Sequence, residues 1–225
     1  MSGIVVIGAT GGCGATTIAC ALALHGRGEA TPLLVDADPH GGGPVAMWGI
    51  DATRHLDDLI GLGDGIGTEH VAHLVHGHQC GIDVLAGCGA AASGVLDHAH
   101  MASAIAVHAA SRAAWVADCG RGDSALCQAL VSRAGRVVLV VPRSLHGVAR
   151  AGGAVAGLAG RPVIIAAGEI PGARAIGVAS LARALGAAEA VPVRRDDRGA
   201  AAVTSARPPR GRGIAKAVAL LGSAA

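Results

Sequence analysis

The segment that most constrains this chain is residues 4–19, Ile-Val-Val-Ile-Gly-Ala-Thr-Gly-Gly-Cys-Gly-Ala-Thr-Thr-Ile-Ala. A short β-branched run leads directly into a glycine cluster, and the cluster opens an apolar helix-forming stretch. Strand, glycine turn and helix in that order begin a βαβ unit. The same order is what a phosphate-binding loop (P-loop) requires. Glycines let successive backbone N–H groups turn inward, and the helix N-terminus adds the positive end of its dipole. The residues read as holding phosphate are Gly11, Gly12, Cys13, Gly14, Ala15, Thr16 and Thr17, with the Thr16 hydroxyl placed to ligate Mg2+.

The rest of the chain continues the alternation. Strands are expected over 4–8, 32–36, 82–86, 115–118, 137–141 and 162–166, with a weaker seventh at 191–193. Helices are expected over 16–25, 69–76, 96–111, 124–133, 145–158, 178–185 and 214–221. Such alternation predicts an α/β fold, a doubly wound, mostly parallel sheet flanked by helices. At 225 residues it reads as one nucleotide-binding domain, 1–225. With no Phe and no Tyr, the core must be built from Ala, Val, Leu and Ile. The Gly- and Asp-rich stretch 41–67 reads as loop with a short helix, and Arg-Pro-Pro-Arg at 207–210 as irregular.

The loop departs from the usual P-loop at one decisive place. A Walker loop ends Gly-Lys-Thr; here those positions are Gly14-Ala15-Thr16. In the deviant Walker form a second lysine precedes the paired glycines, and here that position is Thr10. An ammonium about 4 Å from a phosphate oxygen is worth roughly 4 kcal/mol at an effective dielectric near 20. If that much were specific to the transition state, its loss would slow turnover about a thousandfold. Ground-state binding loses less, because backbone amides and Mg2+ remain. Two further elements supply carboxylates at strand ends: Asp36 and Asp38 after the second strand, and Asp118 after the fourth, where a Walker B aspartate stands. Thr16, Asp38 and Asp118 are the Mg2+ set, partly through water, and Asp36 is the one candidate for a catalytic carboxylate.

Residues 8–17, the run Asp-Ala-Asp-Pro-His-Gly-Gly-Gly at 36–43 and Val-Ala-Asp-Cys-Gly-Arg at 116–121 together resemble the MinD/ParA class of P-loop proteins. Within that class the likeness is to the CpaE/TadZ branch, including CpaE-like proteins encoded beside actinobacterial secretion or pilus genes. The resemblance implies an atypical ATPase that binds ATP and Mg2+ with little or no turnover, and that localises or assembles a Flp/Tad-type pilus or related secretion machine. It further implies a nucleotide-sandwich homodimer, with pilus or secretion components as partners and Asp36 as the switch-type carboxylate. The N-terminal receiver-like domain of many relatives has no counterpart in this sequence. Three rival readings share the residues: a genuine ATPase using a substitute arginine, a ParA-like DNA partition factor, and a protein that keeps the fold without binding nucleotide.

Charge and cysteine content bear on partners and place. The formal net charge is +2, too mild to argue for DNA, although residues 190–225 carry +5. That tail reads as a solvated basic segment, with contact to an acidic partner, an anionic membrane surface or DNA as the functional alternatives. The last helix is expected to fold back on the domain rather than anchor in a membrane. Six cysteines without a CxxC pair or a secretory signal argue for a cytoplasmic protein, with peripheral contact at the inner membrane or cell pole. His70, His73, His76, His78 and Cys80 are dense enough to consider for zinc, but the spacing fits no standard site, and a polar helix face is the simpler reading. Cys88 and Cys119 read as small buried hydrophobes rather than iron–sulfur ligands.

Overall fold

The computed structural model describes residues 3–28, 30–40, 43–88, 98–158, 161–170 and 175–223. The first unit forms as expected: β1 (Ile4–Gly8) enters the glycine turn and α1 (Ala15–His25) leaves it. Next come β2 (Leu33–Asp36), α2 (Gly43–Trp48), a kinked 3-10 segment (Leu56–Gly65), α3 (Thr68–His73), β3 (Val75–His78) and β4 (Ile82–Leu85). Then α4 (Ala99–Ser111), β5 (Trp115–Asp118), α5 (Ala125–Arg133), β6 (Arg136–Pro142) and α6 (Leu145–Gly157) follow. β7 (Val163–Gly168), α7 (Val178–Ala184), β8 (Glu189–Val193), α8 (Asp197–Thr204) and α9 (Ile214–Ser223) complete the chain. Residues 41–42 of the glycine run and 96–97 of the expected helix 96–111 lie outside the described residues.

The strands form one sheet in the order β3-β4-β2-β5-β1-β6-β7-β8. Every neighbouring pair is parallel except β3 with β4. Burial alternates residue by residue. In β1, Val5 and Ile7 enter one core with α4, α5, α6 and α7, while Ile4 and Val6 enter a second with α1, α8 and α9. β6 and β7 divide in the same way, so the sheet is apolar on both faces, as parallel sheets are. Because β1 lies between β5 and β6, connections leave it toward opposite sides. The carboxyl end of β1 is therefore the topological switch point where α/β sheets open a crevice.

Two stretches differ from the sequence expectation, residues 74–78 and the basic tail. The expected helix 69–76 stops at His73, and the next residues turn into the antiparallel edge strand β3, paired His76 to Val84. The basic tail is not a free segment. Asp196 caps α8 by accepting from Gly199 N at 2.8 Å, and its other oxygen accepts from Ile214 N at 3.1 Å at the start of α9. α9 then buries Ile214, Ala217, Val218 and Leu221 on the α1 side of the sheet, so the last helix does fold back. Trp48 Nε1 donates to the Val203 carbonyl at 2.8 Å, tying α2 to α8.

Candidate functional site

The glycine loop lies at the switch point, and its shape is held by main-chain bonds. Gly8 N donates to the Gly120 carbonyl at 2.7 Å and Ala9 N to the Val140 carbonyl at 2.9 Å, so the loop is rooted in β5 and β6. Gly12 and Gly14 have φ of 71° and 90°, backbone positions that L side chains occupy only at a cost of roughly 1–2 kcal/mol. A Cβ added at Gly11, Gly12 or Gly14 would meet nothing within 4 Å, so this face of the loop borders open space. The loop lines a cleft of about 600 Å³ together with Asp38, His40, Gly120 and Arg121. All seven loop residues read from the sequence as phosphate ligands line it.

Of the three carboxylates read from the sequence, Asp38 lines that cleft, whereas Asp36 and Asp118 are buried and do not. Asp36 and Asp118 pair in register on β2 and β5, and both are fully buried. Asp38, half-buried, accepts from His40 N at 2.9 Å, and its carboxylate packs against Gly120, where a Cβ would stand 2.5 Å from it. Asp118 Oδ1 receives only a long bond from Gly120 N, 3.4 Å, and Oδ2 is buried without a hydrogen bond of ordinary geometry. Burial pushes the Asp118 carboxyl up from its usual range and the Asp38 charge adds to this; the neighbouring Thr16 hydroxyl and the Gly120 amide oppose it. A methyl placed on Gly43 would touch Thr16 Cγ2 at 2.9 Å and Asp118 Oδ2 at 3.6 Å, so Thr16 and the orphan oxygen border the same small space.

This donor set fits Mg2+. The hydroxyl and carboxylates are hard oxygen donors, and an under-bonded buried carboxylate oxygen beside a hydroxyl is what a small divalent cation would satisfy. No group of three or more His, Cys, Asp or Glu side chains among the described residues converges to hold a metal unaided. Phosphate oxygens and waters would have to complete the coordination, as is usual for Mg2+. The same observation disposes of a zinc site at 70–80. His70 caps α3 through Gly67 N at 3.0 Å, His76 lies in β3 and bonds the Arg54 carbonyl at 2.8 Å, and His78 stacks on Trp48. Cys88 and Cys119 are buried core thiols; burial pushes Cys88 up, and the hydrogen bond with Cys127, followed by burial, pushes Cys119 up.

A second recess of about 290 Å³ adjoins the first and shares Cys13, Gly14 and Thr17 with it. Its far walls are Val140, Gly168, Glu169 and the run 193–197, with Ile18, Ala200 and Ile214. Sequence reasoning assigned none of these residues to a site. The available signal was that ligands sit beyond the carboxyl ends of parallel strands, here β7 and β8. Arg121 and His40 were likewise unassigned, although they border the phosphate cleft and meet each other at 3.2 Å (Nη2 to Nε2).

The sequence matches no protein-family profile and no curated protein. Solved structures do match in shape. A ParA family ATPase from Chlorobium tepidum superposes with a TM-score of 0.79 at 17% identity, covering 96% of this chain and 95% of that one. The cell division ATPase MinD of Pyrococcus furiosus gives 0.77 at 19% identity, over 98% and 96% of the two chains. The septum site-determining protein MinD of Pyrococcus horikoshii, solved with Mg-ADP, gives 0.75 at 17% identity, over 98% and 94%. The eight-stranded, mostly parallel sheet with its flanking helices is thus the MinD/ParA-type P-loop NTPase fold.

Proposed function

We propose that this chain binds ATP and Mg2+ with little or no turnover, and acts as a MinD/ParA-type homodimeric platform that localises or assembles a Flp/Tad-type pilus or related secretion machine. The observation that carries the nucleotide reading is a lysine-free glycine loop that lines one cleft with Thr16 and Asp38, with the buried, under-bonded Asp118 carboxylate bordering Thr16 beside Gly43. Gly11 to Thr17 would hold the phosphates through main-chain amides. Thr16 and Asp118 would hold Mg2+, with Asp38 acting through water. The metal, when bound, neutralises phosphate charge. The adjoining recess, with apolar walls at Ile18, Val140 and Ile214 and carboxylates at Glu169 and Asp197, suits a nucleoside. Asp36 is fully buried and in register with Asp118, a placement suited to sensing the occupancy of the site rather than to touching solvent water.

Slow turnover follows from chemistry that is missing. Ala15 and Thr10 stand at both lysine positions, removing about 4 kcal/mol of charge stabilisation from any transition state there. The pilus or secretion role rests on the sequence resemblance at 8–17, 36–43 and 116–121 alone. No helix among the described residues is long and apolar enough to cross a membrane, so attachment at the inner membrane or pole would be peripheral.

Calorimetric titration with Mg·ATP tests the binding. The expected result is measurable heat together with a rise in melting temperature, and neither at millimolar ligand would end the reading. Phosphate release above about one per minute would exclude the slow platform, since ordinary enzymes turn over near ten times per second. Deleting the gene should abolish surface pili or secretion. Intact machinery in the deletion strain would refute that assignment and leave the nucleotide reading standing.

A further inference from the structure

Resting on the ATP-binding reading, we propose that Arg121 supplies from the β5 side the positive charge that the glycine loop lacks, contacting the terminal phosphates of a bound nucleoside triphosphate. Among the described residues lining the phosphate cleft, Arg121 is the sole Lys or Arg. The chain's one lysine, Lys216, is exposed on α9, a helix packed on α1, β7 and β8 and absent from the cleft walls. Arg194 and Arg195 border the adjoining recess, and Arg195 is engaged by Asp197 at 2.9 Å.

The backbone at Arg121 is held by main-chain bonds while its side chain is exposed. Gly120 and Gly122 flank it with φ of 53° and 78°. The Gly120 carbonyl accepts from Gly8 N at 2.7 Å, and Gly122 N closes a turn on the Cys119 carbonyl at 2.8 Å. The Arg121 α-carbon is thereby held at the root of the phosphate loop. Its side chain is 48% exposed, and among the described residues its guanidinium meets the exposed Asp123 at 3.9 Å and His40 at 3.2 Å. An exposed pair of that kind contributes little, so a phosphate would displace it readily. The His40 contact is a single nitrogen-to-nitrogen approach of 3.2 Å at an exposed ring. A planar fork also suits phosphate oxygens, which it can engage two at a time.

Arg121 also borders a separate groove of about 510 Å³ shared with Asp123, Gln128 and Arg150. Arg150 lines that groove and not the phosphate cleft, and so serves as the control. The test is calorimetric titration of the full chain with AMP, ADP and ATP in Mg2+, using wild type, Arg121→Ala, Arg121→Lys, Arg121→Gln and Arg150→Ala. Arg121→Ala and Arg121→Gln should weaken ATP at least about tenfold and AMP less than about threefold, with ADP between. Arg121→Lys should recover part of the ATP loss, and Arg150→Ala should change all three by less than about twofold. The assignment is overturned if Arg121→Ala or Arg121→Gln binds ATP like wild type, or if AMP and ATP weaken equally, which would mark a structural role. Arg121→Gln keeps most of the side chain and decides the matter if Arg121→Ala melts early. A wild-type chain that binds none of the three refutes the nucleotide reading itself, and this assignment with it.

Discussion

Replacing Asp118 by Asn should stabilise the empty protein while disabling its Mg2+-dependent response to ATP. Asp118 is fully buried, its Oδ2 makes no ordinary hydrogen bond, and Oδ1 has one long bond of 3.4 Å. Burial raises its pKa above the usual range, helped by the charge of Asp38. The folded protein therefore binds this proton more tightly than the unfolded chain, in which an Asp titrates near 3.9. Stability is greatest with Asp118 protonated, falls as pH rises from about 3.9 through the raised folded value, and carries the full penalty above it. An asparagine has no such charge to bury. An unsatisfied buried polar group costs about 1–3 kcal/mol, more if charged, and the amide keeps part of that cost. The net gain at pH 7.5 is then about 1–2 kcal/mol. For a domain of roughly 200 residues this raises Tm by about 2–8 °C.

Differential scanning fluorimetry of both proteins between pH 4 and 8, with and without Mg·ATP, measures the effect. The gap between variant and wild type should close as the pH falls, because wild-type Asp118 becomes neutral too. At pH 7.5 Mg·ATP should raise the melting temperature of the wild type and leave the variant nearly unmoved. An Asp118→Asn protein that melts at or below wild type at pH 7.5, or that keeps the whole Mg·ATP shift, would refute the assignment of the orphan oxygen to a metal.

Three further outcomes can be checked. Ala15 lines the phosphate cleft, so Ala15→Lys should tighten ATP binding and raise phosphate release by up to about a thousandfold; unchanged affinity in a folded variant would place the terminal phosphates elsewhere. Cys13 is half-buried and borders both recesses, so Mg·ATP should slow its alkylation by iodoacetamide about tenfold, read by peptide mass spectrometry, while Cys80 labels at an unchanged rate; equal Cys13 rates with and without nucleotide would contradict the site. Gly14→Ala meets no atoms but must adopt a φ of 90°, so denaturant unfolding should show a loss of roughly 1–2 kcal/mol with weaker ATP binding; wild-type values for both would show that the loop does not need that turn.

Legibility in the sequence followed how local the cause of each element was. β1, β5 and the glycine turn were readable because an apolar run ending in Gly or Asp needs no distant partner to declare itself. Thr16, Asp38 and Asp118 were readable for the same reason, since each closes or follows a strand in the order the fold uses. β3 was not. Val-His-Gly-His has one apolar side chain, and histidines at 70, 73 and 76 imitate a helical face; pairing with β4 decides the matter. α8 was hidden because Arg-Arg-Asp-Asp-Arg looks like a solvated run. Its stability comes from the Asp196 cap and from Val203 packing under Trp48, contacts made across the fold. The second recess needed β8 placed beside β7, and the sequence marked that strand only weakly.

The loop and the lysine are separable, and this explains how the fold persists without the chemistry. Among the described residues, the bonds that root the loop in the sheet and start α1 are main-chain bonds: Gly8 to Gly120, Ala9 to Val140, Ile18 to Gly14. None involves the side chain at position 10 or 15. A chain can therefore carry Thr10 and Ala15 with no loss of stability, forfeiting only the cation that accelerates phosphoryl transfer. Asp118 is the opposite case. A buried, under-bonded carboxylate weakens the fold at neutral pH, and nothing in the surrounding apolar core requires it. A protein that kept this architecture merely as a shell would be more stable with an uncharged side chain there. Asp118 bordering Thr16 in the space beside Gly43 is the placement on which the proposed Mg2+ site rests, because a bound cation would offset the cost of burying that charge.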